Sequence, residues 1–297
     1  MKLRPFKQVD VFGAAPYRGN PLAVVLDGAD LDPAEMQRFA RWTNLSETVF
    51  LTPPADPTAD YRLRIFTPGG ELPFAGHPTL GACHAWLEAG GRAKNPGCVV
   101  QQCAVGLVNI RVDGPVSAFE APPLKRNAPA PTLIAQVAQA LGIAPARIRA
   151  AQLLDNGPVW LGLLLDDAPT LLALAPDHRA LKTLGQKVGV AAAPAAMPSA
   201  APAEAHVAAP ATTRAPIDLH VRAFAAPIGI EEDPVTGSFN ASLAQWLIAE
   251  SLMPLRYVVA QGQCLGRDGL VQVHRDETGR VWIGGATTTC VDGQIRL

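Results

Sequence analysis

Phe74-Ala75-Gly76-His77-Pro78-Thr79 and Asp233-Pro234-Val235-Thr236-Gly237-Ser238 are two matching entrances to helices, each preceded by a strand and followed by a helical run. In both, a Gly and then a polar residue open the helix. The first N–H groups of a helix have no acceptor within it, so such an entrance gathers backbone donors around a small space that favours an anion. Two entrances suggest one ligand held between two halves.

The surrounding sequence repeats in the same order. Asn20-Pro21-Leu22-Ala23-Val24-Val25-Leu26-Asp27, a polar turn into an apolar strand, is echoed by Asn156-Gly157-Pro158 and the strand that follows it to Asp166. A helix opening with Pro comes next in each half. Asp32-Pro33-Ala34-Glu35 reads as a capping box ahead of Met36, Phe39 and Ala40, and Pro176 precedes Leu181, Leu184 and Val188 at helical spacing. Alternating strands over 61–66 and 217–222 lead into the two entrances. Beyond the entrance helices, Val99-Val100-Gln101-Gln102 matches Val258-Val259-Ala260-Gln261, and both lead through Gly into strands ending near Val112 and Val273. An internal duplication follows.

A chain of 297 residues is long enough for two domains of ordinary size. With 25 basic against 26 acidic residues and a net charge of −1, nothing points to nucleic acid or to an anionic membrane as partner. The start, Met1-Lys2-Leu3-Arg4-Pro5-Phe6-Lys7, lacks the apolar core of a signal peptide, so export by that route is not expected. The longest charge-free stretch, Val188 to Ala203, is interrupted by Pro194, Pro198 and Pro202. It is too broken for a membrane-spanning helix and reads as a surface loop, continuing in Ala- and Pro-rich sequence to Pro216 as the least ordered part of the chain. Five cysteines without a CxxC motif fit a reducing cytoplasm.

Glu47 has strand parity with Leu45, Val49 and Leu51, which turns a carboxylate toward an apolar face. Two readings stand: burial raises its pKa and makes it a proton shuttle, or it is a strand-end Glu satisfied by backbone N–H groups. His77 reads either as the N-cap of its helix or as a donor facing a ligand. Asp233 before Pro234 suits an Asx-turn, Ser238 suits an N-cap, and Glu231 and Glu232 suit solvated or helix-dipole charges. His77 and His84 are two helical turns apart, too far for joint metal ligation, so no metal is expected and Cys83 and His84 read as helix packing. No nucleotide, dinucleotide or acyl-enzyme signature appears, Gly69-Gly70 is too short for a cofactor loop, and Gln261 to Arg267 reads as a hairpin.

Over nearly its whole length the chain resembles the PhzF-like family, proteins related in fold to diaminopimelate epimerase. The motifs are Gly19-Asn20-Pro21-Leu22-Ala23-Val24, Asn44-Leu45-Ser46-Glu47-Thr48, Ile65-Phe66-Thr67-Pro68, the stretch from Glu71 to Thr79, the stretch from Asp233 to Ser238, and Gln261-Gly262 with Gly266-Arg267. The resemblance implies an α+β fold of two similar domains, each a mixed, curled sheet around a central helix, with the active site in a cleft between the two helix starts. The domains would span 1–118, completed by a strand at 286–297, and 119–285. Where the epimerase relatives carry one cysteine before each entrance Gly, this chain has Ala75 and Thr236, which excludes two-thiol racemisation.

The PhzF-like pattern instead makes Glu47 the proton carrier, with His77 and Asp233 also in catalytic positions. Substrate would be held by Ser46, Gly76, His77, Gly237 and Ser238. Phe239-Asn240 departs from the small residues of the phenazine enzyme, and a phenyl ring there would reshape the pocket. The expected function is a cofactor-independent cytoplasmic isomerase or epimerase, a homodimer like its relatives, acting on a small carboxylic acid that is amino-acid-like or a cyclic diene. A dehydratase using the same Glu47 and a non-catalytic small-molecule-binding protein with the same cleft fit these residues too.

Overall fold

The computed structural model describes residues 1–194 and 216–297. The chain divides into two units, residues 1–120 with 284–297 and residues 121–283.

The first unit contains β1 (Leu3–Val11), β2 (Asn20–Val25), α1 (Pro33–Thr43), β3 (Glu47–Thr52), β4 (Tyr61–Thr67), β5 (Gly70–Leu72), α2 (Gly76–Glu88), β6 (Cys98–Cys103), β7 (Gly106–Asp113) and β8 (Val116–Glu120). The second contains β9 (Lys125–Asn127), α3 (Pro131–Leu141), β10 (Ile148–Asp155), β11 (Val159–Leu165), α4 (Ala168–Leu172), α5 (His178–Leu184), β12 (Lys187–Ala192), β13 (Leu219–Phe224), α6 (Gly237–Ala249), β14 (Arg256–Gln261) and β15 (Gly269–Arg275). The last strand, β16 (Val281–Arg296), lies in the first unit from Gly284 onward.

The duplication is visible in the strand pairing. In the first unit β1–β2 is antiparallel, β2–β3 parallel, β3–β4 antiparallel, β4–β6 parallel and β6–β7 antiparallel. The second repeats that alternation from β10 to β15. The first sheet continues through β7 and β8 to β16, which returns to pair with β1, so the strand ring closes. Inside it lies α2, in contact with β1, β2, β3, β4, β6 and β8. The fold is therefore α+β, with a mixed, curled sheet around a central helix.

α2 and α6 are each 13 residues long and buried along most of their length, which requires apolar residues on nearly every side. Close approach to the strands demands missing side chains. On α2, a Cβ at Gly81 would lie 2.5 Å from the Leu22 side chain of β2. In the second unit the gap is on the strand: a Cβ at Gly189 of β12 would lie 2.1 Å from the ring of Phe239 on α6. Phe239 is fully buried and packs against Trp160 of β11, with ring centroids 5.4 Å apart. It is a core residue of its unit, and the pocket-reshaping ring expected from the sequence is not what this side chain provides.

The opposite face of each sheet carries the other helices. α1 opens with the expected capping box of Asp32 and Glu35 and buries Met36, Phe39 and Ala40. Phe39 meets Phe50 edge-on at 6.3 Å, and Phe50 meets Phe66 at 5.7 Å. In the second unit α3, α4 and α5 cover Leu161, Leu163, Val188, Val190 and Phe224.

Three expectations need correction. Val188 does not continue a helix, because α5 ends at Leu184 with Gly185 in the left-handed region at φ 67°. The supposed loop from Val188 starts as a strand, since Val188 to Ala192 lie in β12 and are buried, while residues 195–215 lie outside the described residues. Gly189, Ala191 and Ala192 carry no strand signal by themselves; Phe239 fills the space that Gly189 leaves open. The strand expected over 217–222 runs instead from Leu219 to Phe224. Among the described residues no helix is long and apolar enough to cross a membrane.

Substituting Gly189→Ala should destabilise the chain by about 1–3 kcal/mol in urea unfolding, because Phe239 has no room to retreat. Adding Phe239→Leu should recover part of that loss. Additive losses in the double variant would show that the two residues do not share one space.

Candidate active site

In the first unit, α1 ends at Asn44 in the left-handed region (φ 55°), and this reversal delivers the chain to β3, whose first residue is Glu47. The Thr43 and Thr48 hydroxyls, 2.8 Å apart, tie the turn together. Glu47 pairs with Leu22 of β2, and its side chain is 12% exposed. Two residues before Leu22, the fully buried Asn20 begins β2. Its amide nitrogen is 3.4 Å from His77 Nδ1, while its oxygen accepts a long bond from the Ser46 hydroxyl at 3.5 Å.

His77 is buried at the second position of α2, and its Nε2 is 3.3 Å from Glu47 Oε2. Burial away from water pushes its pKa down to about 3, so the imidazole is neutral at neutral pH. With Nδ1 facing the Asn20 amide as acceptor, the ring hydrogen is assigned to Nε2, which lies near the Glu47 carboxylate without forming a hydrogen bond to it. Helix geometry leaves the Gly76 and His77 N–H groups without an intrahelical acceptor, and Pro78 has no N–H. The N-cap is Ala75, with no side-chain cap, so His77 is not the cap. The Thr79 hydroxyl donates to Ala75 O at 2.9 Å and accepts from Gln101 Nε2 at 3.0 Å. The only thiol on α2, Cys83, is buried and pushed up to about 12, so it is no proton donor at neutral pH.

In the second unit, Asp233 N donates to Ala223 O of β13. Just before it, Glu232 takes a bidentate pair from Arg222, at 3.0 and 2.7 Å, and both side chains are buried. Arg222 also donates to Leu174 O at 2.7 Å. Glu232 is thus a buried anchor and not the solvated charge expected from its neighbours. Burial is possible because the guanidinium fork matches a carboxylate while its remaining donors reach main-chain carbonyls.

The turn from Asp233 to α6 is organised by Gln261 at the end of β14. The Thr236 backbone N–H donates to Gln261 Oε1 at 3.1 Å, which sets the amide's orientation, since a backbone N–H can only donate. Gln261 Nε2 therefore donates, to Asp233 O and to the Thr236 hydroxyl, both at 3.0 Å. The hydroxyl passes its own hydrogen to Asp233 Oδ2 at 2.7 Å. Asn240 adds a bond to Gln261 Oε1 at 2.8 Å. Thr236 is the N-cap residue, so Ser238 is not, and its side chain has another bond. The Ser238 hydroxyl accepts from Trp160 Nε1 at 3.2 Å, and its carbonyl accepts from Asn156 at 2.9 Å.

The structure thus groups Ser46, Glu47, Gly76 and His77 in the first unit, and Asp233, Gly237 and Ser238 in the second. Sequence reasoning missed Asn20, Gln101, Asn156, Trp160 and Gln261. A signal for two of these existed: Asn20 and Asn156 are identical residues at matching places in the two repeats, each bound to the entrance helix of its own unit. Gln101 and Gln261 serve their entrance helices from corresponding strands but at different positions along them. Trp160 has no such counterpart. Among the described residues no cluster of His, Cys, Asp or Glu is arranged to hold a metal.

The structure is a duplicated α+β fold whose two helix entrances carry no thiol. The family model for phenazine biosynthesis-like proteins matches residues 9–293. The chain is 34% identical to a Schizosaccharomyces pombe protein named antisense-enhancing sequence 1, over 97% of each chain. It is 30% identical to trans-2,3-dihydro-3-hydroxyanthranilate isomerase of Pseudomonas chlororaphis, over 97% of this chain and 98% of that one. A crystal structure of a PhzF-family protein from Enterococcus faecalis superposes with a TM-score of 0.78 at 26% identity, covering 100% of both chains. The chain belongs to the phenazine biosynthesis-like, or PhzF-like, family, and it is an isomerase.

Two measurements check the site's internal order. His77 has a folded pKa of about 3 against an ordinary value of 6.5, so its contribution to stability is complete above pH 6.5 and is lost as pH falls toward 3. Its NMR resonance should show no titration between pH 5 and 8, and His77→Asn should flatten the acid-side loss of stability. Gln261→Leu, which strands the Thr236 N–H and the Asn240 amide, should cost about 2–4 kcal/mol in denaturant unfolding.

Proposed function

We propose that the chain moves a proton between carbons of a small unsaturated carboxylic acid, with Glu47 as the single acid and base. One observation carries this reading: a nearly buried carboxylate beside a neutral imidazole that opens a buried helix. A neutral His77 with its hydrogen on Nε2 orients and polarises without competing for the transferred proton. Glu47 takes the proton from the activated carbon and returns it at another carbon on the same face. The Gly76 and His77 N–H groups stabilise the substrate carboxylate or the developing enolate. Ser46, beside Glu47, completes the polar contacts in this unit. The absence of a thiol at Ala75 and Thr236 supports one base over two.

The name of the Pseudomonas chlororaphis relative supplies the first substrate to try, trans-2,3-dihydro-3-hydroxyanthranilate. In deuterium oxide the wild-type chain should place label on a ring carbon of the product. Glu47→Gln should lower the rate by about 10²- to 10⁴-fold with the unfolding transition unchanged. A Glu47→Gln variant that turns over at the wild-type rate would remove Glu47 from the chemistry.

A further inference from the structure

A neutral imidazole has two ring nitrogens and one hydrogen, and the nitrogen that carries it decides what His77 can do beside Glu47. With the hydrogen on Nδ1, the bare Nε2 would be a second base next to the carboxylate. With the hydrogen on Nε2, that side of the ring can only donate. Nε2 itself has no hydrogen-bond partner among the described residues, although His77 is 4% exposed. A buried donor left unpaired costs about 1–3 kcal/mol, so the hydrogen is not held there by a bond of its own. What holds it acts on the other nitrogen, where Asn20 Nδ2 is 3.4 Å from Nδ1 and can only donate.

Asn20 is built into place. It is fully buried, pairs with Val11 of β1, and follows a pinched turn. The Gly19 N–H donates to the buried Asp10 carboxylate at 2.8 Å, and a Cβ on Gly19 would lie 2.2 Å from Val11 O. The Asn20 oxygen accepts the long bond from Ser46, which turns its NH₂ group toward the imidazole. An amide keeps this donor at every pH, whereas a carboxylate of the same shape could only accept and would draw the hydrogen to Nδ1. We infer that Asn20 is a positioning residue that keeps the hydrogen of His77 on Nε2, so that the ring is closed as a base and proton transfer falls to Glu47. The inference deepens the proposed function and rests on its use of Glu47 as base; its test separates the two.

Nitrogen–hydrogen correlation spectra of the isotopically labelled full chain at neutral pH tell a ring nitrogen that carries hydrogen from one that does not. His77 is identified among the six histidines by the pattern missing from His77→Asn. In the wild type, Nδ1 should be bare and Nε2 should carry the hydrogen. Glu47→Gln should show the same pattern, because the amide and not the carboxylate sets it. Asn20→Asp should place a hydrogen on Nδ1, and turnover of the substrate named above should fall by about 10²- to 10³-fold, the value of one preorganised donor. A merely packing role for Asn20 would leave the ring pattern of Asn20→Asp unchanged.

A hydrogen on Nδ1 in the wild-type chain overturns the inference without any variant, so it stays exposed to refutation even where Asn20→Asp misfolds. A pattern that changes in Glu47→Gln gives the positioning role to the carboxylate and overturns it as well. An unchanged ring in Asn20→Asp, or a moved hydrogen with full turnover, does the same. The base assignment is read separately, from the rate of Glu47→Gln. If that variant turns over at the wild-type rate while the ring patterns come out as expected, the role of Asn20 stands and Glu47 as base fails.

Discussion

The whole architecture turns on the problem of starting a helix in a place without water. α2 and α6 bury most of their length, so their first turns bring backbone donors and polar side chains to where solvent cannot satisfy them freely. An unmet buried polar group costs about 1–3 kcal/mol, which is a large part of a domain's net stability. The chain solves this twice with the same two residue types. An asparagine at the start of β2 and another in the turn before β11 bond the entrance residues, Asn20 to His77 and Asn156 to Ser238. A glutamine on the later strand bonds the first turn, Gln101 to Thr79 and Gln261 to Thr236 and Asn240. Because these ties come from strands and from the turn between β10 and β11, each entrance has a set orientation before any ligand arrives.

On that common frame the two units have diverged in chemistry. The first presents a carboxylate and a neutral imidazole 3.3 Å apart. The second presents an aspartate whose carboxylate is held by a threonine, and a serine held by a tryptophan. Thr236 shows how a position changes its role. At the position before the entrance Gly, the Thr236 hydroxyl is engaged on both sides, accepting from Gln261 and donating to Asp233, so it orders a neighbour. The burden of proton transfer in our account therefore falls on one carboxylate.

Much of this was legible in the sequence because the duplication repeats residues as well as patterns. The capping box at Asp32, the alternation over 61–66 and the paired Gly entrances all appear where the residues place them. What was not legible depends on contacts between residues far apart in the chain. β12 reads as a loop because its small residues acquire strand character only through Phe239, about 50 positions later, pressing on Gly189. Glu232 reads as a surface charge because its partner Arg222 lies on β13 and shares no motif with it. His77 and Ser238 read as caps because capping residues and ligand-facing residues are the same types; only their bonds to Asn20 and Trp160 tell them apart.

The central claim, that one carboxylate both removes and returns the proton, is tested most directly by following a labelled hydrogen through a single turnover. With trans-2,3-dihydro-3-hydroxyanthranilate deuterated at the ring carbon that loses hydrogen, a single Glu47 carries the label across the substrate face, and part of it should appear at the new carbon of the product in ordinary water. If the new hydrogen comes only from solvent while all the deuterium is released, removal and return use different groups, and the single-base account is wrong.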